Sequence, residues 1–488
     1  MNYDAAMREE ELNRRSITMR CLEIICLLTV CALPVTAAHA ATAAIAPDRM
    51  LVVDGERTFI IGLYENPAED AVLDAAAKAG FNLVHASADA AALDRLSARN
   101  LWAWINTGAS IDFSENPSAR EEELKRMVAE FGEHPALLVW EVPDEALWNC
   151  FYGATMWRRS QEPAQLRTAI DALSDAALQT ELREMMASSS DLWNNGLYAQ
   201  AEETANAIWR KLGQEPPNPG LNLSNAPERA AKMCAGMIQG YELLKKADPN
   251  HPVWMNHAPR NQVNQLAAFN RAADIVGCDI YPVPAFKTGH SDLMERTPAA
   301  AGAYTRRMQE AAPGKPVWMV LQGFGWRDIS DDPSPDPNDG RRPTLEETRF
   351  MAYDAIVHGA RGILYWGSAY IEKDSQLWQD LLTVIAELNA LQPVLSAPDA
   401  PGPFPTRFAE TYGSVDRGIQ VLPKTVSGKV WFLVVNDWTE PLTYTIAGLD
   451  DFNGARYVEN YTEGEAIVKD GALTLTIPGQ RVHVLVPE

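Results

Sequence analysis

Residues 134–148 read HPALLVWEVPDEALW. An apolar run from Ala136 to Trp140 ends at Glu141 and Pro143, and two adjacent carboxylates, Asp144 and Glu145, follow. A short run that is apolar at every position is the pattern of a strand buried on both faces, as in a parallel sheet. Seven more runs share it: FIIGLYE (59–65), FNLVHAS (81–87), LWAWINTG (101–108), PVWMNHAPR (252–260), DIVGCDIYP (274–282), KPVWMVLQGFGW (315–326) and GARGILYWGSA (359–369). Amphipathic helical stretches separate most of them, such as PAEDAVLDAAAKAG (67–80), with Gly80 placed to cap its end. Eight strands alternating with helices predict an α/β protein, a (β/α)8 TIM barrel, over residues 41–395.

The rest of the chain is organised around that barrel. Residues of about 150–245, after the fourth run, are too many for a barrel connection and read mostly as helix, for example YAQAEETANAIWRKLG. This helical insertion is either a lid or subsite wall over the barrel mouth or a plain helical subdomain. SAPDAPGPFP, residues 396–405, reads as a Pro-rich linker. Beyond it, in residues 406–488, alternating segments such as KVWFLVVND and LTYTIAG predict a C-terminal β-sandwich domain.

The chain carries 42 Lys and Arg against 65 Asp and Glu, a net charge of −23, which argues against nucleic acid or an anionic membrane as partner. Near the N-terminus, Arg14, Arg15 and Arg20 precede IICLLTVCALPV and then AAHA. This is the pattern of a signal peptide over residues 1–40, with cleavage after Ala40 and a secreted or periplasmic destination; Met19 is an alternative start. The run is interrupted by Pro34, so no integral membrane association is expected. Three cysteines follow the signal: Cys150, Cys234 and Cys278. A Cys150–Cys234 bridge and buried free thiols are both compatible with export.

In a barrel of this kind the active site lies where the strands end. Those ends carry Glu65, Asn66, His85, Asn106, Asp144, Glu145, Asn256, His257, Asp279, Tyr281, Gln322 and Trp366, with Trp326 just beyond the seventh strand. A polar pocket with aromatic walls suits an oligo- or polysaccharide, whose hydroxyls need donors and acceptors and whose C–H faces stack on rings. Asn256 and His257 are read as contacts to substrate hydroxyls. No cofactor and no metal is expected: there is no H-E-x-x-H, no phosphate-cradling glycine loop and no dinucleotide fingerprint. DISDDPSPDPNDGRRP (328–343) fails as a calcium loop, because aligning Gly340 with the turn glycine puts Pro335 and Pro337 at ligand positions.

The fourth-strand stretch resembles a motif of the cellulase- and mannanase-like (β/α)8 glycoside hydrolases, approximately hPxxxxWExxNEP. His134, Pro135, Trp140, Glu141 and Glu145 match it, while Asp144 and Ala146 stand in place of the Asn and the second Pro. The resemblance implies that Glu145 is the general acid/base. It extends to KPVWMVLQGFG, similar to a seventh strand ending in KPxxxxEFG, and to Tyr365–Trp366, where those enzymes often supply a stacking Trp. Two departures stand out. Gln322 and Gly323 occupy the place of the nucleophilic Glu, and His85 stands in the strand after which those enzymes carry an Arg.

A second catalytic group is therefore needed, and Asp279, Glu65, Asp144 and Asp328 are candidates, with Asp279 favoured because it closes an apolar strand. Strand spacing of ~4.8 Å sets the ends of strands four and six roughly 10 Å apart, nearer the inverting range of about 6.5–9.5 Å than the retaining range. The reading is an exported glycoside hydrolase acting on O-glycosidic bonds. Glu141, deeper in the strand, is expected to be structural. The alternatives are a carbohydrate-binding barrel that does not cut and, more remotely, a structural protein of the cell envelope.

Overall fold

A computed structural model describes residues 40–285, 291–330, 336, 338–409, 418–462 and 464–488. The signal-peptide reading and the two prolines of the failed calcium loop lie outside them. The eight apolar runs form eight parallel strands: β4 (Ile60–Leu63), β5 (Leu83–Ala86), β6 (Trp102–Asn106), β7 (Leu137–Glu141), β8 (Val253–His257), β9 (Ile275–Asp279), β10 (Val317–Gln322) and β11 (Gly362–Trp366). They pair in sequence order and close when β11 joins β4, Gly362 opposite Ile60, so the barrel has no free edge. Every residue of β7, β8, β9 and β10 is buried, as their unbroken apolar runs require.

Helices cover the outside in the expected alternation. Gly80 ends the first of them, α1 (Asp70–Ala79), with φ 117°, a left-handed conformation natural to glycine. The next two are α2 (Ala90–Ser97), capped by Asp89, and α3 (Pro117–Phe131). The long stretch after β7 then divides into two parts. α4 (Ala146–Met156), a π-helical turn at Trp157–Gln161, α5 (Glu162–Asp171), α6 (Ala176–Asn194) and α7 (Tyr198–Lys211) are additional structure. α8 (Ala226–Ala247) returns against α3 and serves as a barrel helix. The α5–α7 group has its own core of Leu166, Ile170, Leu182, Ala205, Ile208 and Trp209. Beside it the buried Arg158–Glu162 pair, 2.6 Å apart, is completed by Trp209 Nε1 donating to Glu162 at 3.0 Å.

Three short strands precede the barrel and have no counterpart in the periodicity: β1 (Ala43–Ile45), β2 (Leu51–Val53) and β3 (Glu56–Thr58), an antiparallel sheet. It lies at the N-terminal end of the barrel, where Ala43 N–H donates to the Asn250 carbonyl at 2.9 Å. Its strands are only three residues long, too short to leave a pattern; β2 is largely buried and β1 and β3 are partly exposed.

The C-terminal sandwich has a three-stranded sheet, β12 (Thr406–Phe408), β15 (Leu442–Ala447) and β18 (Ala472–Ile477). It faces a five-stranded one: β13 (Ile419–Val426), β14 (Lys429–Asn436), β19 (Val482–Pro487), β16 (Arg456–Glu459) and β17 (Glu465–Ile467). In β15, Leu442, Tyr444 and Ile446 point inward while Thr443 and Thr445 face outward, each 3.0 Å from a threonine of β18. In β14, Phe432 and Val434 face the sandwich core, whereas Leu433 and Val435 join the barrel's hydrophobic core. A sheet covered on both faces explains why VWFLVVN shows no alternation. Residues 396–405 are not a free linker: Asp399 bonds Arg361 and Lys424, each at 2.8 Å, and Ala400 is buried. The three cysteines are free and buried, with Cys150 Sγ 3.8 Å from Met233 Sδ, so no Cys150–Cys234 bridge forms.

Candidate active site

The interior layer beneath the strand ends, the floor of the site, is aromatic. Trp104, Trp254 and Trp318, on the third, fifth and seventh barrel strands, are fully buried and in ring contact, with Trp104 to Trp254 at 5.5 Å and Trp254 to Trp318 at 5.7 Å. Tyr64, just past the first strand, completes the layer at 5.0 Å from Trp104. Alternate strands supplying one interior layer is the packing rule of this barrel. The large rings fit because Gly277 and Gly362 leave them room; a Cβ at Gly277 would stand 2.9 Å from Trp254 Nε1, and one at Gly362 2.7 Å from Trp318 Cδ1.

Glu141 rests on this floor, accepting from Trp104 Nε1 at 3.1 Å, Asn106 Nδ2 at 2.9 Å and Tyr64 Oη at 3.3 Å. Burial, with the Asp144 charge beside it, raises its carboxyl to about 8 despite these donors. Asp144 is exposed on its solvent side, but its carboxylate accepts from Asn256 Nδ2 at 2.9 Å; desolvation and the Glu145 charge bring it to about 6. Asn256 Nδ2 also donates to Asp279 at 2.6 Å, tying strand four to strand six.

Glu145 and Asp279 are hydrogen-bonded to each other, and the Tyr281 hydroxyl is hydrogen-bonded to Asp279. Burial raises both carboxyls, Asp279 far above its usual range because Glu145 and Asp144 add negative charge around it. Two carboxyl oxygens can approach this closely only by sharing a proton. Glu145, just past strand four, and Asp279, closing strand six, reach toward each other and meet through this hydrogen bond. Glu145 has φ 51°, ψ 32°, a left-handed backbone that costs a non-glycine residue of order 1 kcal/mol and sets it where α4 begins.

An aromatic wall rises beside this pair. Trp366 and Tyr281 stack with centroids 5.5 Å apart and planes 19° from parallel, while Phe324, Trp326 and Tyr370 make further ring contacts. His85 is half-buried, its ring 5.5 Å from that of Trp104. Glu65 is held by Lys373 and by Ser368 Oγ, which donates at 2.9 Å. Lys373 itself sits 4.4 Å over the Trp378 ring, a constraint that strand-end reading missed because it comes from beyond strand eight.

Four of the expected binding residues are engaged within the protein. Gln322 is fully buried; its amide accepts from Val283 N–H at 2.9 Å and donates to the carbonyls of Val283 at 2.8 Å and Phe324 at 3.0 Å. It clamps the loop after strand six and offers nothing to a ligand. His257 is buried, with Nε2 2.8 Å from Asn270 Oδ1 outside the barrel, because Asn256 takes the inward position and neighbours on a strand alternate. Asn66 accepts from Arg95 of α2 at 2.9 Å, a link between connections. Asn106 spends its amide on Glu141, Val142 and Gly108 and so supports the floor.

Asp328 is engaged by Arg342 in an ion pair at 2.8 Å. Among the described residues, one group of three or more His, Cys, Asp or Glu is close enough to hold a metal: Asp354, His358 and Asp437, with ligand atoms within 4.8 Å of one another. It lies where the barrel meets the sandwich. Arg306 Nη1, 2.7 Å from His358 Nδ1, already puts a cation there. No described helix is long and apolar enough to cross a membrane.

No family of known proteins matches the chain, and no curated protein does. Among solved structures it is similar to a beta-galactosidase from Bacillus circulans sp. alkalophilus, at 11% identity and a TM-score of 0.49, covering 88% of this chain and 99% of that one. It is also similar to a glycoside hydrolase family 5 protein from Bacteroides vulgatus ATCC 8482, at 11% identity and a TM-score of 0.49, covering 91% and 93%. A third is a GH30 endoxylanase from Clostridium papyrosolvens C71, at 11% identity and a TM-score of 0.42, covering 92% and 98%. At such distance these likenesses extend no further than the shared barrel architecture, which the chain's own closed sheet displays.

Proposed function

We propose that this protein is an exported glycoside hydrolase that cleaves O-glycosidic bonds of a neutral oligo- or polysaccharide, with Glu145 as general acid and Asp279 as the second carboxyl. The observation that carries the reading is the side-chain hydrogen bond between Glu145 and Asp279 beside the Tyr281–Trp366 wall, which requires a proton between the two carboxyls. Glycoside cleavage needs one carboxyl that still holds a proton at working pH and one that does not. A buried pair with one proton between them supplies both states.

In the reaction a sugar stacked on Trp366 enters between the two groups and parts them. As they part, the proton between them goes with Glu145, which gives it to the glycosidic oxygen as the bond to the anomeric carbon breaks. Asp279, then ionised, takes a proton from the water that attacks that carbon, or attacks it directly. Asn256 holds Asp279 in place by its 2.6 Å hydrogen bond.

The second reading is a barrel that binds glycan without cutting it. The contact between Glu145 and Asp279 favours it, since a glycosidic oxygen must displace that contact. Hydrolysis of a panel of aryl glycosides and oligosaccharides by the protein lacking residues 1–40 decides between them. For the hydrolase, Glu145→Gln abolishes cleavage of oligosaccharides but spares dinitrophenyl glycosides, whose leaving group needs no proton. Asp279→Asn abolishes both. Binding by calorimetry with no turnover of any substrate leaves only the second reading. NMR of the first-formed anomer then separates water activation from direct attack.

A further inference from the structure

We infer that Trp148, Tyr152 and Met156 form an extended subsite that carries the leaving-group side of the saccharide away from Glu145. The inference rests on the hydrolase reading above. α4 begins at Glu145, so its first turn stands at the carboxyl pair. Trp148, Tyr152 and Met156 recur at intervals of four, which puts them on one face of the helix. The rings of Trp148 and Tyr152 are stacked on each other, with centroids 5.6 Å apart and planes 20° from parallel, so Trp148 backs the exposed Tyr152 ring. Tyr152 is 44% exposed and Met156 38% exposed. From Trp148 to Met156 the stripe spans ~12 Å of helix, longer than a single sugar ring.

The chemistry of the face selects the occupant. The segment ALWNCFYGATM contains no charged residue, unusual for a helix with exposed positions in a chain of net charge −23. Gly153 keeps the surface beside Tyr152 low, and a Cβ there would meet nothing within 4 Å. An uncharged aromatic shelf fits the C–H faces of a neutral saccharide and offers an acidic or basic partner no counter-charge. Continuity with Glu145 sets the polarity. The group that protonates the leaving oxygen faces the departing portion, so the shelf holds the sugars released.

The test uses cello-, manno-, xylo- and galacto-oligosaccharides of two to six units in two measurements. Wild-type hydrolysis reports on the reaction; calorimetric binding to Glu145→Gln, with and without Tyr152→Ala, reports on the shelf. The expected result is that Tyr152→Ala raises the Kd of the longest bound oligosaccharide about tenfold, as loss of a stacking ring would, and that of the disaccharide by less than about twofold. Trp148→Phe, which keeps a ring, is expected to lose less than Trp148→Ala. If wild type cleaves but the variants bind all chain lengths as the parent does, the shelf is overturned and the hydrolase stands. If no saccharide is cut or bound, both fall. If Tyr152→Ala instead turns a dimer into a monomer in sedimentation velocity without altering saccharide binding, a second copy covers the stripe and the inference is overturned.

Discussion

Among the described residues, carboxyls crowd together at the barrel mouth and at the junction with the sandwich, and their neighbours differ in charge. At the barrel mouth, Glu141, Asp144, Glu145 and Asp279 meet amides, indoles and phenols; among the described residues no Lys, Arg or His pairs with any of them. They relieve their repulsion by keeping protons. At the junction with the sandwich, Asp354 Oδ1 and Asp437 Oδ2 lie 3.2 and 3.1 Å from His358 Nε2, with Arg306 against the same imidazole. Burial works against a charged imidazole, but Asp354 and Asp437 outweigh it and raise His358 to about 9. Burial alone therefore does not mark a reactive acid. Asp354 is itself raised to about 7 by burial and the Asp437 charge, so what separates the two places is the cation that faces the junction carboxyls and has no counterpart among the described neighbours of the mouth carboxyls.

Substitution at the two sites sharpens the contrast. Glu145→Gln is expected to lower kcat/KM on oligosaccharides by about 10²–10⁴, the worth of a general acid, with the melting temperature unchanged or raised because one acid of a crowded set is gone. A large fall in stability with activity intact would place Glu145 with the structural carboxyls. His358→Ala should do the reverse. Removing the cation from a buried pair costs about 3–5 kcal/mol, seen in urea unfolding, while specific activity of the folded fraction stays as in wild type.

Gln322→Glu asks whether strand seven can be given back a nucleophile. The new carboxylate would face the Val283 and Phe324 carbonyls that now accept from the amide. The expected outcome is a loss of about 1–3 kcal/mol with no gain in turnover. Increased hydrolysis would show that the loop after strand six can yield.

The smallest effect is a slope with pH. Glu141 is raised from 4.5 to about 8 and His358 from 6.5 to about 9. In each case the folded state holds its proton more tightly than the unfolded one, so the stabilisation is fully present below the unfolded value and is lost as pH rises through the folded one. Urea midpoints are expected to fall from about pH 5 upward. Glu141→Gln should flatten the part between about 4.5 and 8, and His358→Gln the part between about 6.5 and 9. A midpoint that rises with pH across this range would reverse the assignment of both.

The eight barrel strands were legible because a strand buried on both faces must be apolar throughout, and that pattern is local. Glu145 and Asp279 were legible as positions, each closing such a strand. Their contact was not: spacing between strands measures backbones, while the meeting point depends on side-chain reach and on Asn256 between them. Gln322 misled for a related reason. Its place at a strand end suggested the pocket, yet the loop after β9 folds over it and uses its amide.

The sequence by itself determined the order and burial of the strands, the alternation of the sandwich and the carboxylates each strand delivers, since these follow from side chains a few residues apart. Closure of the barrel, 134 residues from Glu145 to Asp279, decided which of those carboxyls meet. The packing of β14 against the barrel likewise decided that His358 would sit between Asp354 and Asp437. Such contacts join segments with no common local pattern, and only the three-dimensional arrangement fixes the charge that each buried group must carry.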